Sequence, residues 1–241
     1  APENNKYLYS YLNKYFENKF YKRASKVVFT HKESMEYHKQ TFDILNNKSS
    51  LLPPVFLTKI SDKTNNFNYK KTPVKVAYFG VLTKGVRTPE NFILFMNKLD
   101  INNLEFHWYT NDDSKQMVKA TYSKYRRNFF HEMVPRDEAL DLMDNEYHAL
   151  LNIGNQNPFQ LPSKVIEYIS TGKPIVHYSE ISDDPVIGIL KERSNSIIIN
   201  NNKNPEQVKK EFKEKMFSDN DISSVENFNS ISAVNELLKL I

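Results

Sequence analysis

The sequence contains no cysteine, so disulfide bonds, thiolate nucleophiles and cysteine-bound metals are excluded. No apolar run approaches the length of a membrane span, and no signal peptide is evident. The excess of positive charge is small, with 33 lysines and arginines against 29 acidic residues, so nucleic acid is not indicated as a partner. These absences predict a soluble, cytoplasmic globular protein.

Glycine is also scarce, with five in the chain, and the usual glycine-rich nucleotide motifs are missing. Gly80 and Gly85 have the spacing of a phosphate-binding loop, but Val86 stands where that loop needs lysine, which argues against Walker-type triphosphate hydrolysis. The Gly-x-Gly-x-x-Gly fingerprint is absent, which counts against NAD or FAD. The six histidines are scattered without the spacing of a metal site or a catalytic triad.

From Pro73 onwards, short apolar segments of strand type alternate with segments of helix length. This alternation predicts an α/β domain, a doubly wound parallel six-stranded Rossmann-like sheet with right-handed helical crossovers. The predicted strands are 74–79, 104–109, 128–133, 148–153, 174–178 and 196–199. The predicted helices are 89–99, 113–122, 136–145, 163–171, 184–192, 205–217 and 222–240.

The residues before this alternation predict a smaller unit over 1–57. A helix over 5–24 carries an aromatic stripe, 26–30 is interpreted as a buried strand, and Thr30 with Glu33 resembles a capping box that opens a helix to about residue 46. The polar segment 58–72 is predicted to be a linker. The main domain then covers 73–220, and a closing helix covers 221–241.

The two loops of greatest interest follow the first and fourth strands of the predicted sheet. With the common strand order 3-2-1-4-5-6, the chain reverses direction between those strands, and ligands bind in the crevice beyond their carboxyl ends. The first strand leads into loop 80–87 and the fourth into loop 154–163, and both loops carry glycine and polar residues. The sequence therefore predicts a ligand site between them.

The segment after the second loop predicts a short helix with a charged face. Pro162 and Ser163 suit its first positions, and Gly172 suits the position just past its end. Lys164 and Glu167 are three residues apart and share one face. The helix N-terminus beside a lysine favours phosphate, and a carboxylate one turn in can accept hydrogen bonds from sugar hydroxyls. The alternative is a surface helix with an ordinary Lys–Glu pair.

The stretch Pro162-Ser-Lys-Val-Ile-Glu-Tyr168, with Gly172-Lys-Pro174 after it, resembles a motif of GT-B glycosyltransferases of the retaining family 4 type. Residues 76–85 look like the first strand and phosphate-contacting loop of the C-terminal, donor-binding domain of that family. Residues 129–142 look like the strand and helix beside the nucleobase, and 24–42 resemble the end of the N-terminal domain. The resemblance implies that 1–57 is a remnant of the acceptor-side domain.

The resemblance also implies roles for individual residues. Glu167 would bind the ribose hydroxyls of a nucleotide-sugar, and Lys84 would contact the diphosphate. No catalytic residue is assigned in this fragment, and neither a metal nor another cofactor is implied. The remaining donor-binding residues implied by the resemblance are Gly80, Arg87, Val134, Gln160, Leu161, Pro162, Ser163 and Lys164.

Two positions depart from the family pattern. Val81 stands where many members have an arginine, for which Arg87 is the substitute that the sequence offers. Phe159 stands where many members have a second glutamate, eight residues before the one on the ribose. The contacts with the donor sugar are therefore expected to differ from those of the family.

The implied enzyme is a hexosyltransferase that moves a hexose from an NDP-sugar, with retention, to a polysaccharide or glycolipid acceptor. The acceptor would bind through the rest of the N-terminal domain, so this fragment alone is expected to be inactive. A UDP-sugar 2-epimerase and a non-catalytic nucleotide-binding module of the same fold remain alternatives. The basic and aromatic stretch 19–23 adds the expectation of peripheral contact with the inner face of a membrane.

Overall fold

The N-terminal unit forms a small layer of its own. The computed structural model describes residues 12–52, 73–99, 101, 103–121, 127–191, 193–216, 235 and 238. The elements of the N-terminal unit are α1 (Leu12–Arg23), β1 (Val27–Phe29), α2 (Lys32–Thr41), a 3₁₀ helix (Asp43–Asn47) and β2 (Ser49–Leu51). Strands β1 and β2 pair in parallel, and Phe29, Phe42 and Leu45 form the buried centre of the unit.

The main domain alternates strands and helices along the chain. Its strands are β3 (Val74–Phe79), β4 (Leu104–Tyr109), β5 (Arg127–His131), β6 (Ala149–Ile153), β7 (Ile175–Ser179) and β8 (Ser196–Asn200). Its helices are α3 (Glu90–Lys98), α4 (Asp112–Thr121), α5 (Arg136–Asn145), α6 (Ser163–Ser170), α7 (Pro185–Lys191) and α8 (Pro205–Met216). All adjacent strands pair in parallel, in the order β5-β4-β3-β6-β7-β8.

Helices cover both faces of this sheet, which explains the continuous apolar runs in its strands. All five residues of β6 are buried, as expected for a parallel strand with helices above and below it. In β3, Val76 and Tyr78 join the core under α3, α4 and α8, whereas Ala77 and Phe79 join the core under α5, α6 and α7. The domain is therefore a doubly wound α/β sheet.

The predicted architecture of the main domain is confirmed. The six strands were located to within two residues at each end, and their spatial order is the predicted 3-2-1-4-5-6. The reversal between the first and fourth strands falls between β3 and β6. The loops that follow these strands therefore lie at the same edge of the sheet.

Two predictions for the N-terminal unit are wrong. The strand at 26–30 is not buried throughout, because Val28 is exposed and only Phe29 lies in the core. The helix after it begins at Lys32 with His31 as its N-cap, without a capping side chain, so Thr30 and Glu33 form no capping box. Thr30 instead pairs its hydroxyl with the His31 ring, 3.2 Å away, and α2 ends at Thr41 rather than near residue 46.

Several predictions fall on residues beyond the described ranges. They are the first part of the N-terminal helix, the linker at 58–72 and most of the closing helix at 221–241, of which residues 235 and 238 are described and helical. Helix α1 has no buried residue, and Tyr15, Phe16 and Phe20 of its aromatic stripe are exposed. Within the described ranges, no helix combines the length and the apolar character needed to cross a bilayer.

Candidate functional site

Two chain segments face each other at the carboxyl edge of the sheet, beyond β3 and β6. Gly80 directly follows β3 and has a φ of +149°, a conformation that favours glycine. A Cβ atom at Gly80 would lie 3.6 Å from both Cδ and Cε of Lys164, near the start of α6. The Lys164 side chain thus lies against the backbone that leaves β3, as the predicted pairing of loop and helix requires.

The orientation of α6 is fixed by a buried tyrosine. The Tyr168 hydroxyl accepts the Phe79 N–H at 3.0 Å and donates to the Phe79 carbonyl at 3.2 Å. Burial raises the pKa of Tyr168, so the phenol remains neutral and able to donate. This two-way contact ties the middle of α6 to the end of β3, and it sets where Lys164 and Glu167 lie.

The N-terminus of α6 is uncapped and partly exposed. Its N-cap is Pro162, and no side chain caps the first turn. The first amide groups of a helix have no partner within the helix, and the helix dipole places partial positive charge there. Ser163 beside them is exposed and Lys164 is half-buried. The local chemistry is that of an anion site.

A polar network joins the two loops of the crevice. The Arg87 guanidinium donates through Nε and Nη2 to Asn155 Oδ1, at 3.1 and 2.8 Å. The Asn155 amide in turn donates to the Gln160 carbonyl at 3.1 Å, and the Gln156 N–H donates to the Val86 carbonyl at 2.7 Å. Arg87, in loop 80–87, therefore holds loop 154–160 in place through these hydrogen bonds. Arg87 and Gln160 are both predicted site residues, and the structure links them through Asn155, which the sequence does not indicate.

The other predicted site residues line the same edge of the domain. Lys84 is exposed on the turn that the Thr83–Arg87 bridge closes, where Gly85 has a φ of +75°. Val134 packs against the core just before α5. Leu161 is half-buried and also packs against that core, and Pro162 is buried.

An ion pair holds Glu167, and the sequence did not predict it. Arg136, the first residue of α5, donates from Nε to Glu167 Oε1 at 2.7 Å. The arginine side chain is 57% exposed and the glutamate side chain 21% exposed. The available signal was that Arg136 lies two residues after Val134, in the segment expected beside the nucleobase.

The N-terminal unit also reaches the site. Tyr37 on α2 stacks on Phe159, with ring centroids 4.1 Å apart and planes inclined by 30°. Burial lowers the pKa of His31, whose ring lies beside the backbone of Pro158 and Phe159. Phe159 is thus an aromatic contact between the two parts of the chain.

A buried polar group supports the second loop from below. His177 Nε2 lies 3.2 Å from Asp184 Oδ2, and Asp184 Oδ1 accepts the Val186 N–H at 2.9 Å at the start of α7. Burial alone would raise the pKa of Asp184, but hydrogen bonds and charge from His177 hold it below its usual value. A Cβ atom at Gly154 would lie 2.2 Å from Asp184 Oδ2 and 3.2 Å from the Tyr178 carbonyl oxygen, so a larger residue here would have to displace the Asp184 carboxylate.

Comparison with known proteins identifies the fold. No family model matches the sequence, and no curated protein matches it. Among solved structures, Anabaena HepE in complex with UDP-glucose is similar at a TM-score of 0.65 with 12% identity, over 97% of this chain and 68% of HepE. The lipopolysaccharide outer core galactosyltransferase WaaB is similar at 0.62 with 11% identity, over 90% of this chain and 61% of WaaB. The main domain is the C-terminal, Rossmann-like half of a GT-B fold.

An epimerase shares this fold as well. The UDP-GlcNAc 2-epimerase of Methanocaldococcus jannaschii, in complex with UDP-GlcNAc and UDP, has a TM-score of 0.52 and 14% identity, over 90% of this chain and 60% of the enzyme. The chain spans between 45% and 68% of the length of these and similar structures. At such identities the similarity establishes the GT-B fold, which different reactions share.

Proposed function

We propose that the crevice between loops 80–87 and 154–164 binds the diphosphate and ribose of a nucleotide-sugar, as the donor site of a retaining glycosyltransferase of the family 4 type. The observation that carries this proposal is the arrangement at α6. Its uncapped N-terminus, the Lys164 stem against Gly80 and the Glu167 carboxylate one turn in lie along one edge of the crevice.

The charges of this edge match the parts of a nucleoside diphosphate. The amide groups at the start of α6 and the Lys164 ammonium favour the phosphates, and exposed Lys84 adds a second cation on the opposite loop. Glu167 is polar and partly exposed, so its carboxylate can accept hydrogen bonds from vicinal hydroxyls. UDP-glucose in HepE and UDP in the epimerase make uridine the first nucleoside to test.

The proposed chemistry is electrostatic. As the bond between the sugar and the diphosphate breaks, negative charge grows on the departing phosphate. The α6 amide groups with Lys164 and Lys84 would stabilise that charge without a metal or another cofactor. The full enzyme would transfer a hexose to a polysaccharide or glycolipid acceptor, and the acceptor would bind through a part of the protein that this chain does not supply.

The epimerase alternative has weaker support, because the loop after β6 lacks the residues that this reaction needs. Epimerisation requires acid–base groups around the sugar, and residues 154–163 contain neither a carboxylate nor a histidine. A binding module without chemistry would keep the nucleotide site but show no transfer when joined to its intact N-terminal domain. The glycosyltransferase proposal therefore needs two separate tests, one of binding and one of transfer.

Calorimetry with UDP and UDP-glucose tests the binding step on the chain as it stands. Lys164→Ala should weaken the binding of UDP more than the binding of uridine, because the role of Lys164 is to neutralise the phosphates. Lys191→Ala, at the end of α7, is the matched lysine control. Equal losses for UDP and uridine, or no effect of Lys164→Ala, would refute the placement of the diphosphate.

A further inference from the structure

Arg136 has more hydrogen-bond donors than its ion pair with Glu167 uses. A guanidinium has five N–H groups and no acceptor, and the contact with Glu167 uses Nε alone. Within the part of the chain that the structure describes, the two terminal nitrogens of Arg136 make no hydrogen bond or ion pair. Four donor N–H groups next to the carboxylate therefore have no acceptor among the described residues.

The same contact leaves part of Glu167 available. Arg136 binds Oε1, and Oε2 makes no hydrogen bond with the described residues. A carboxylate offers about four acceptor positions over its two oxygens, so Glu167 can keep Arg136 while it accepts a diol. Ligand binding at Glu167 thus does not require the ion pair to break.

The place of Arg136 is set by its backbone as well as by its ion pair. It is the first residue of α5, directly after the N-cap Pro135, and α5 packs on the sheet through Ala139 and Met143. Val134, two residues earlier, packs against the same core. The guanidinium is therefore held next to Glu167 at both ends of its side chain.

Hydrogen-bond donors beside the ribose can distinguish one nucleobase from another. In the proposed function, on which this inference rests, Glu167 holds the ribose hydroxyls. The base edge next to the ribose carries an oxygen acceptor in pyrimidines, a nitrogen acceptor in adenine, and an amino donor in addition in guanine. A donor-only guanidinium suits the pyrimidine oxygen and conflicts with the guanine amino group.

We propose that Arg136 is a specificity-determining residue, whose terminal nitrogens contact the sugar-side edge of the nucleobase and favour uracil over guanine. Glu167 and Arg136 then act as one unit. The carboxylate accepts from the ribose, the guanidinium donates to the base, and the bond between them fixes the distance between the two contacts.

Calorimetry with UDP and GDP on the whole chain tests this proposal. The wild-type protein should bind UDP about tenfold more tightly than GDP, the value of one hydrogen bond to a charged group. Arg136→Ala should weaken the binding of UDP by about tenfold, so that its affinities for UDP and GDP become nearly equal. Arg136→Lys keeps the charge but has a single ammonium, so it should also lower that ratio.

The matched control is Arg127→Ala. Arg127 is likewise exposed and paired with a glutamate, Glu105 at 3.0 Å, but it lies at the opposite, amino end of β5. Arg127→Ala should change neither the affinity for UDP nor the affinity for GDP. Thermal melting checks that each variant is folded, and Arg136→Lys carries the test should Arg136→Ala unfold.

The outcomes separate this inference from the function on which it rests. Equal losses for UDP and GDP in Arg136→Ala would overturn the base contact and leave Arg136 as a support for Glu167. A wild-type preference for GDP would overturn it as well. A wild-type chain that binds no nucleoside diphosphate would refute the proposed function itself.

Discussion

The rings of Tyr37 and Phe159 stack at 4.1 Å, although 121 residues lie between them in the sequence. One belongs to α2 of the N-terminal unit and the other to the loop that leads into α6. Both rings remain partly exposed, at 45% and 38%. The stack therefore acts as a brace on the loop rather than as part of a shared core.

Removal of this brace should loosen the loop. An aromatic pair contributes about 0.5–1.5 kcal/mol beyond its buried area, so Tyr37→Ala should raise hydrogen exchange in residues 155–161 several-fold. We expect a matching loss of affinity for UDP-glucose, measured by calorimetry. Tyr15→Ala on α1, an exposed tyrosine that contacts only Phe16 among the described aromatic rings, is the control. Unchanged exchange in Tyr37→Ala would show that the brace is not needed.

Alanine substitutions at two glycines should change the stability of the domain in opposite directions. Gly154→Ala would place a methyl group 2.2 Å from Asp184 Oδ2, and Gly188→Ala in α7 would meet no atom within 4 Å. Overpacking costs about 1–3 kcal/mol, whereas alanine in a helix gains about 0.5–1 kcal/mol over glycine. Thermal melting should show a lower Tm for the first variant and a slightly higher Tm for the second. A wild-type Tm for Gly154→Ala would refute the close packing.

Acid should destabilise the main domain before its carboxylates are protonated. Burial is the main cause that lowers the pKa of His107 and of His148 to about 4, and the charge of His131 beside the first and of Lys173 beside the second contributes to that value. The unfolded chain binds protons from about pH 6.5, so the stabilising contribution is complete above that pH and is lost as the pH falls towards 4. Between pH 7 and 5 each histidine should cost about 1–2 kcal/mol.

Urea denaturation at pH 7 and pH 5 checks this expectation. His148 Nδ1 accepts the Lys75 N–H at 2.9 Å, and the amide oxygen of asparagine can take that hydrogen bond without a proton uptake. His148→Asn should therefore reduce the difference in stability between the two pH values. A variant with the same pH dependence as the wild type would refute the assignment to His148.

The sequence predicted the main domain well because its signals are local. The apolar runs of β3 and β4 and the alternation with helices determine where strands lie, and crossover rules determine their order. Gly172, with a φ of +69°, follows the end of α6 where it was expected. The sequence also predicted Lys164 and Gly80 at the carboxyl edge of the sheet, where the structure has them in contact distance.

The remaining contacts depend on distances that no local pattern records. Arg136 meets Glu167, 31 residues away, only because α5 and α6 lie on the same face of the sheet. His177 meets Asp184 because the middle of β7 lies beside the residue that precedes α7. The exposed Val28 was missed for a related reason, since an apolar strand in a two-stranded sheet has too few neighbours to be covered on both faces.

We propose that Glu167 binds the ribose of a nucleoside diphosphate, and calorimetric titration of UDP into Glu167→Ala is the sharpest test of this contact. Loss of a charged hydrogen-bond acceptor costs about 1.5–3 kcal/mol, so affinity should fall about ten- to a hundredfold. Glu206→Ala, in the first turn of α8, is the control and should bind as the wild type does. Equal affinities of Glu167→Ala and Glu206→Ala for UDP would refute the contact between Glu167 and the ribose.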